Sequence, residues 1–360
     1  MGTKEDSGRL LGMSKVVRLV GVFTATLALV AGCSTSPEIV KTDPQPKEAV
    51  DKSAALVDAA KKEGLLTLYT VASAASAQVQ ADAFTAKYGI PVNMVRLTGG
   101  QMNQRFQAEI DSTAGTPADI VVTEDLPLIK AAMKAGALIP MDKAEIPGYP
   151  WNFPEKFLLS DIGTPVTVVF ASSIAYNTDL VKGDDVPKGW KDLLDPKWKG
   201  KIGVASPSSA MAYVGEWVVI AKQEGGDYLS KLGAQNLKAY AAGATLTGAL
   251  GAGEIAIAAN SLVTNTVPDM KKGAPIKYVV PENTSGIGLS TAIVAKSKHP
   301  NAARLFAMYS MSEEGAKVLA DAANSASPYD TASIPKGYEA ADIGAAPAKF
   351  AEVQKLLGVK

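Results

Sequence analysis

Apolar and polar positions along the chain alternate between two periods, one of about 3.6 residues and one extended. From Ala49 to Glu63, the residues Val50, Ala54, Val57 and Ala60 share one face of a helix that Gly64 stops. Leu65–Val71 then reads as a buried strand, Ala72–Tyr88 as a loop and helix ended by Gly89, and Pro91–Leu97 as the next strand. Helix Gln101–Ser112, strand Ala118–Thr123 and helix Leu126–Ala135 continue the series. Strands alternating with helices of this length predict a parallel α/β sheet. A long β-rich segment, Thr164–Ile174, leads into a second such unit. There, strand Lys201–Ala205, helix Ser209–Lys222, a helical turn Ala249–Gly253 and strand Glu254–Ala259 follow. Tyr278–Pro281 and Gly288–Ala295 are extended, Pro300–Ala322 reads as one long amphipathic helix, and Ala346–Leu357 as a last one. No internal sequence repeat is visible.

The first fifty residues depart from this pattern. Lys15 and Arg18 precede an apolar stretch, Leu19–Val30, too short to span a bilayer, and Ala31-Gly32-Cys33 closes it. The string Leu29-Val30-Ala31-Gly32-Cys33 looks like a bacterial lipoprotein signal. That resemblance implies cleavage after Gly32, lipid on Cys33 and a chain anchored to a membrane outside the cytoplasm. Glu5 and Asp6 do not suit a basic signal start, so Met13 is the expected initiator. Ser34–Val50, with Pro37, Pro44 and Pro46, reads as an extended tether.

Composition narrows the chemistry. Lys and Arg number 36, as do Asp and Glu, so no net positive charge invites a nucleic acid. Removing residues 1–32 leaves enough chain for two lobes. Cys33 is the single cysteine and His299 the single histidine. A nucleophile–histidine centre would have to use His299, which stands in Lys296–Pro300 at a helix entry and reads as a solvated turn. No nucleophile elbow, phosphate loop or zinc motif is present. No catalytic residue, cofactor or metal site is expected, although a carboxylate-dependent enzyme stays open as a reading.

Several segments resemble the extracellular solute-binding proteins of ABC importers, in the group that holds ferric-iron, spermidine/putrescine, thiamine and organophosphate binders. They are Glu63–Tyr69, Ile174–Asn177, Gly189–Ile202 (the most specific), Gly253–Ile257 and Lys298–Phe306. The resemblance implies an α/β fold of two lobes joined by two crossing strands, with the ligand cleft between them. It places lobe 1 at 51–165 plus 285–325 and lobe 2 at 166–284 plus 326–360, after a signal at 1–32 and a tether at 33–50. The hinge falls near Val166–Phe170 and Pro281–Ser290, where Gly286 and Gly288 suit backbone that must flex. It also implies a monomeric receptor that captures a small solute and docks on an ABC permease in the membrane.

Ligands of open parallel sheets bind beyond the carboxyl ends of the strands. That rule selects Ser73 and Ser76 after the first strand, Thr123 and Glu124 after the third, and Ser208, Ser209, Asn260 and Ser261 in the second lobe. Ser208 and Ser209 open the predicted helix, where free N–H groups favour an anion or simple capping. Glu124 could receive an ammonium group or a metal ion, and Asp125 suits a helix start. A helix-terminus anion site facing a carboxylate suits a zwitterion. Trp151, Tyr176 and Tyr213 could wall the cleft or belong to the core. Ferric-binding relatives carry adjacent tyrosines where this chain has Asn260-Ser261-Leu262-Val263, which puts direct iron binding in doubt, while a metal receptor of the same fold remains the alternative.

Overall fold

The computed structural model describes residues 47–359, with side chains from Lys52 onward. The signal, Cys33 and most of the tether lie outside the described residues.

Helix α1 (Lys47–Glu63) leads into β1 (Leu66–Thr70), α2 (Ala74–Tyr88), β2 (Val92–Arg96), α3 (Gly99–Asp111), β3 (Ile120–Thr123) and α4 (Leu126–Lys134). Two short strands follow, β4 (Leu138–Ile139) and β5 (Leu158–Leu159). The long strand β6 (Thr164–Asn177) then crosses to a second unit. That unit holds β7 (Ile202–Ala205), α5 (Met211–Glu224), α6 (Tyr228–Gly233), β8 (Lys238–Tyr240), α7 (Gly243–Gly251), β9 (Ile257–Leu262), α8 (Val263–Lys271) and β10 (Ile276–Val279). Strand β11 (Asn283–Val294) crosses back to α9 (Pro300–Met311) and α10 (Glu313–Ala322). The chain closes with β12 (Gly337–Ala340) and α11 (Ala346–Leu357), which packs on α5 and α6.

The strand order is β2-β1-β3-β11-β6-β9-β7-β8. In the first half β1 pairs parallel with β2 and β3, and in the second β7 pairs parallel with β8 and β9. Each half therefore has its first strand in the centre, its second at the edge and its third beside an antiparallel crossing strand. The topology repeats although the sequence does not. Between Ala171, which opposes Gly286 of β11, and Ser172, which opposes Leu262 of β9, β6 changes partners.

Both faces of both halves are covered, which is why β1, β3, β7 and β9 are buried along their whole length. One face of the first half packs Phe84, Phe306 and Tyr309 from α2 and α9, with the Phe84 and Phe306 rings edge to face at 5.1 Å. The other packs Met102, Phe106 and Ile129 from α3 and α4. In the second half Trp190 and Trp217 meet edge to face at 6.1 Å, and Leu246 and Leu250 cover the opposite face.

Four local expectations change. The predicted helix Pro300–Ala322 is two helices. Ser312 is extended and its hydroxyl accepts from Gly315 N at 3.0 Å, so it ends one helix and caps the next. Helix α5 begins at Met211 rather than Ser209, because Pro207–Ser209 forms a 3-10 turn capped by Ser206. His299 stands in a turn with exposed neighbours, as expected, but its half-buried ring is not free in solvent: Nδ1 lies 2.9 Å from Oδ2 of the fully buried Asp119. Gly286 and Gly288 do not need a glycine-only φ. They are close-approach positions, where a Cβ would lie 2.2 Å from Phe170 O and 2.4 Å from Val166 Cγ1. Compactness of the β6–β11 pair, rather than backbone freedom, explains them.

Candidate functional site

The carboxyl ends of the parallel strands in the first half open onto a cavity of about 450 Å³. Its lobe 1 wall carries Ser73 and Ser76 from the β1–α2 loop, Arg96 and Thr98 from the β2–α3 loop, and Glu124 from the β3–α4 loop. Phe170, Ile287 and Leu289 of the crossing strands contribute to the lining, and Leu262, Thr264, Asn265 and Pro268 approach from the second half. A second cavity of about 350 Å³ shares Glu124 and Ile287 with the first. Its further lining includes Lys156, Phe157, Gly286, Gly288, Tyr338 and Ile343. Glu124 thus stands at the junction of the two.

Each loop is set by local chemistry. Ser73 is the N-cap of α2, accepting from Ser76 N at 3.2 Å, and the two hydroxyls are 2.7 Å apart. Ser73 is exposed and Ser76 buried. Thr98 caps α3 in a reciprocal box with Gln101. Thr123 is fully buried, and its hydroxyl accepts from Asp125 N at 3.1 Å. Asp125 caps α4 by accepting from Leu128 N at 2.9 Å, as its place at a helix start suggests.

Glu124 differs from Asp125. Its Oε2 is shut away from solvent without a hydrogen-bond partner. Its Oε1 presses on the α3 entry, where a Cβ on Gly99 would lie 2.9 Å away. Burial pushes the carboxyl above its usual range and Asp125 adds to this; its own backbone N–H, Thr123 and the nearby Arg96 guanidinium pull the other way. A carboxylate held in this way gains from a cationic partner.

The second-half candidates divide. Ser208 and Ser209 are exposed; Ser208 Oγ lies 2.6 Å from Ser206 Oγ, and Ser209 donates to Ser206 O at 2.7 Å. Neither lines the cavities at Glu124. Asn260 and Ser261 are buried within β9, Asn260 with a left-handed φ of 54° and Ser261 3.1 Å from the Thr266 hydroxyl. Of the three aromatic candidates, Tyr176 is in the second core and Trp151 packs edge to face on Tyr149 at 6.0 Å. Tyr213 is near Asn265, which lines the first cavity. It lies with Asn265 over Gly243, where a Cβ would be 2.2 Å from Asn265 Nδ2 and 3.0 Å from the Tyr213 hydroxyl.

The strand-end rule applied to β2 as well would have found Arg96 and Thr98. Asn265 is missed because the strand predicted from sequence ends at Ala259, whereas β9 runs on to Leu262, so the rule selects Asn260 and Ser261 instead. Among the described residues, no group of three or more His, Cys, Asp or Glu could hold a metal, and no helix is long and apolar enough to cross a membrane.

Residues 115–346 match the family model of bacterial extracellular solute-binding proteins. The chain belongs to that family. It is 32% identical over 225 residues to a periplasmic protein of Salmonella typhimurium whose name assigns it provisionally to 2-aminoethylphosphonate binding. That alignment covers 60% of this chain and 61% of the relative's length. Among solved structures, iron-bound HitA from Pseudomonas aeruginosa is 25% identical with a TM-score of 0.63, over 82% of this chain and 99% of HitA. A substrate-binding protein of an ABC transporter from Agrobacterium tumefaciens has a TM-score of 0.66 at 13% identity, covering 81% and 95% of the two chains. The two-lobed α/β fold read from the sequence is the fold of these proteins, and the family is one of binders rather than enzymes.

Proposed function

We propose that this solute-binding protein is the extracytoplasmic receptor of an ABC importer and that its cleft closes on a small zwitterion. The observation that carries the reading is Glu124: a carboxylate with one unpartnered, solvent-shielded oxygen, at the junction of two cavities, and the single acid in the lining of the larger one, beside Ser73, Ser76, Arg96 and Thr98. Its role is to receive an ammonium group. The anionic end of the solute would be held by the Ser73 and Ser76 hydroxyls, the Arg96 guanidinium and Thr98 at the α3 entry, where N–H groups and the helix dipole favour negative charge. The relative named for 2-aminoethylphosphonate suggests a phosphonate as that end. Thr123 supports the Glu124 turn from beneath. Ser208 and Ser209 would reach the solute on lobe closure, and Asn260 and Ser261 shape the opposing wall.

Closure follows from differential binding: a solute touching both lobes stabilises the arrangement in which both contacts exist. Lipid on Cys33 would keep the receptor, acting as a monomer, close to its permease. Isothermal titration with 2-aminoethylphosphonate tests the solute class. Binding that Glu124→Gln weakens at least about tenfold, or about 1.4 kcal/mol, is expected. Unaltered affinity in that variant overturns the role of Glu124, and absence of binding overturns the phosphonate.

The likeness to iron-bound HitA supports a second reading, a ferric receptor. Asn260 and Ser261 offer no phenolate, and the described residues assemble no cluster of metal-binding acids or histidines. A visible absorption band on adding ferric iron would favour it.

A further inference from the structure

A second polar cluster sits away from the cleft, under the point where β6 changes partners. Glu216, on the buried face of α5, is fully inaccessible. Its Oε1 accepts from the Ser172 hydroxyl at 2.9 Å, and its Oε2 has no hydrogen-bond partner. Asn260 lies beside it, close enough to favour the carboxylate, yet neither of its amide atoms makes a hydrogen bond of normal geometry. Ser172 is the first β6 residue paired with β9, and Asn260 stands two positions before Leu262, which lines the cleft. The cluster therefore joins the crossing strand to the cleft wall.

Among the described residues, no cation compensates a charge on Glu216. Strands β9 and β11 carry no ionisable side chain, and β6 carries only Tyr176. Tyr213 on α5 and Tyr338 on β12 are the phenols that sense the Glu216 charge, and both are held protonated by burial first and by that charge second. Elsewhere on α5, Lys222 pairs at 2.8 Å with Glu339 of β12, and Lys191 lies 3.7 Å from Glu224. Asp342, whose backbone abuts Gly215, is exposed and accepts from Ala345 N. On α11, Lys349 pairs with Glu352, and both, with Lys355, are at the surface.

We propose that Glu216 is a positioning residue of the hinge that carries a proton, so that lobe closure is linked to its protonation. As a neutral acid it can donate from its free oxygen to the Asn260 amide while Oε1 keeps the Ser172 hydroxyl, and the crossing strand and cleft wall are then tied together. As a bare carboxylate it would be a buried charge with the Ser172 hydroxyl and the Asn260 amide beside it but no cation, which costs several kcal/mol unless water enters. Ionisation thus favours the arrangement of the lobes that admits water at the crossover, and this is the more open one. Burial raises the carboxyl to about 8, held back only by its contacts with Ser172 and Asn260, so the change falls within an accessible pH range. This linkage rests on a two-lobed binder, not on the identity of the solute.

The test uses the solute-free protein, with one spin label on exposed Gln78 and one on exposed Lys231, both replaced by cysteine in a chain starting after Cys33. Double electron–electron resonance measures the interlobe distance at about pH 6 and about pH 10. The expected result is a longer distance at high pH in the parent chain and no pH response in Glu216→Gln, whose amide stays neutral. Ser172→Ala, which leaves the carboxyl but removes its donor, should move the transition to higher pH, since an ionised carboxylate then loses its hydrogen bond. A pH-invariant distance in the parent, or the same response in Glu216→Gln, overturns the proposal. Because no solute is used, failure of the zwitterion reading leaves this result intact.

Discussion

The carboxylate of Glu63 accepts from Ala302 N at 2.8 Å, and from Asn301 N and the Asn301 side chain at 3.1 and 2.6 Å. An acid at the end of the first helix thus caps the first turn of α9, more than two hundred residues later. Two segments that resemble the family in sequence, Glu63–Tyr69 and Lys298–Phe306, meet here. Beside them Asp119 accepts from Thr67 N, the Ser297 hydroxyl and the His299 ring. The contacts of these segments hold the first half together at the end of the sheet opposite the cleft.

Glu63→Ala removes charge-assisted bonds to the α9 entry and favourable interaction with its dipole. The expected loss is about 1–3 kcal/mol. Thermal unfolding should show a lower Tm, while the affinity for whatever solute the parent binds stays within about twofold. A large affinity change would mean that this end of the sheet communicates with the cleft.

Stability should depend on pH through Glu216. Its folded-state pKa, about 8, is raised above the ordinary carboxylate value by burial. The stability is therefore fully present below the unfolded-state pKa. It declines as pH rises from about 4.5 to about 8, because the unfolded chain ionises first, and then levels off. A tenfold difference in proton affinity between the folded and unfolded chain corresponds to about 1.4 kcal/mol, so the decline is on the order of a few kcal/mol. Glu216→Gln should flatten the profile and be the more stable protein at about pH 8. Urea midpoints measured between about pH 5 and about pH 9 check this, and parallel curves for the two proteins would contradict it.

Gly99→Ala places a methyl group 2.9 Å from Glu124 Oε1. Alanine suits a first-turn helical position, so stability should hardly change. The carboxylate must move, however, and solute affinity should fall by roughly tenfold, about 1.4 kcal/mol. Calorimetric titration beside thermal unfolding separates the two effects.

Gly286→Ala and Gly288→Ala both crowd the crossing strands, but against different neighbours. At position 286 the Cβ would meet the Phe170 carbonyl oxygen, which is backbone; at 288 it would meet a Val166 methyl, which can turn. The expected cost is about 2 kcal/mol or more for Gly286→Ala and about 1 kcal/mol for Gly288→Ala. Equal costs in denaturant unfolding would argue that the glycines serve flexibility after all.

Much of the first half was legible in the sequence because its signals are local. Gly64 and Gly89 end helices in left-handed backbone, Asp125 caps α4, and runs such as Leu66–Thr70 are apolar because helices cover both faces of the sheet. Helix α11 agrees with its expected span, Ala346–Leu357. The break at Ser312 was hidden because apolar spacing continues through it, whereas one serine turns the backbone and Gly315 lets it pack on Tyr309. Glu124 was legible as a strand-end acid, but Glu216 was not, since an acid between Gly215 and Trp217 has no local mark of burial.

The sequence by itself determined the period of most elements of the first half and of several in the second, the presence of a single thiol and a single imidazole, and the family. Those depend on neighbours a few residues apart. The tertiary structure decided that two halves without visible repeat share one strand order, and that Ser73, Arg96 and Glu124 line one cavity while Ser208 and Ser209 lie apart from it. It also placed a buried acid with one unpartnered oxygen under the crossover. Such relations arise from strand pairing across more than a hundred residues, and chain spacing carries no information about them until the sheet closes.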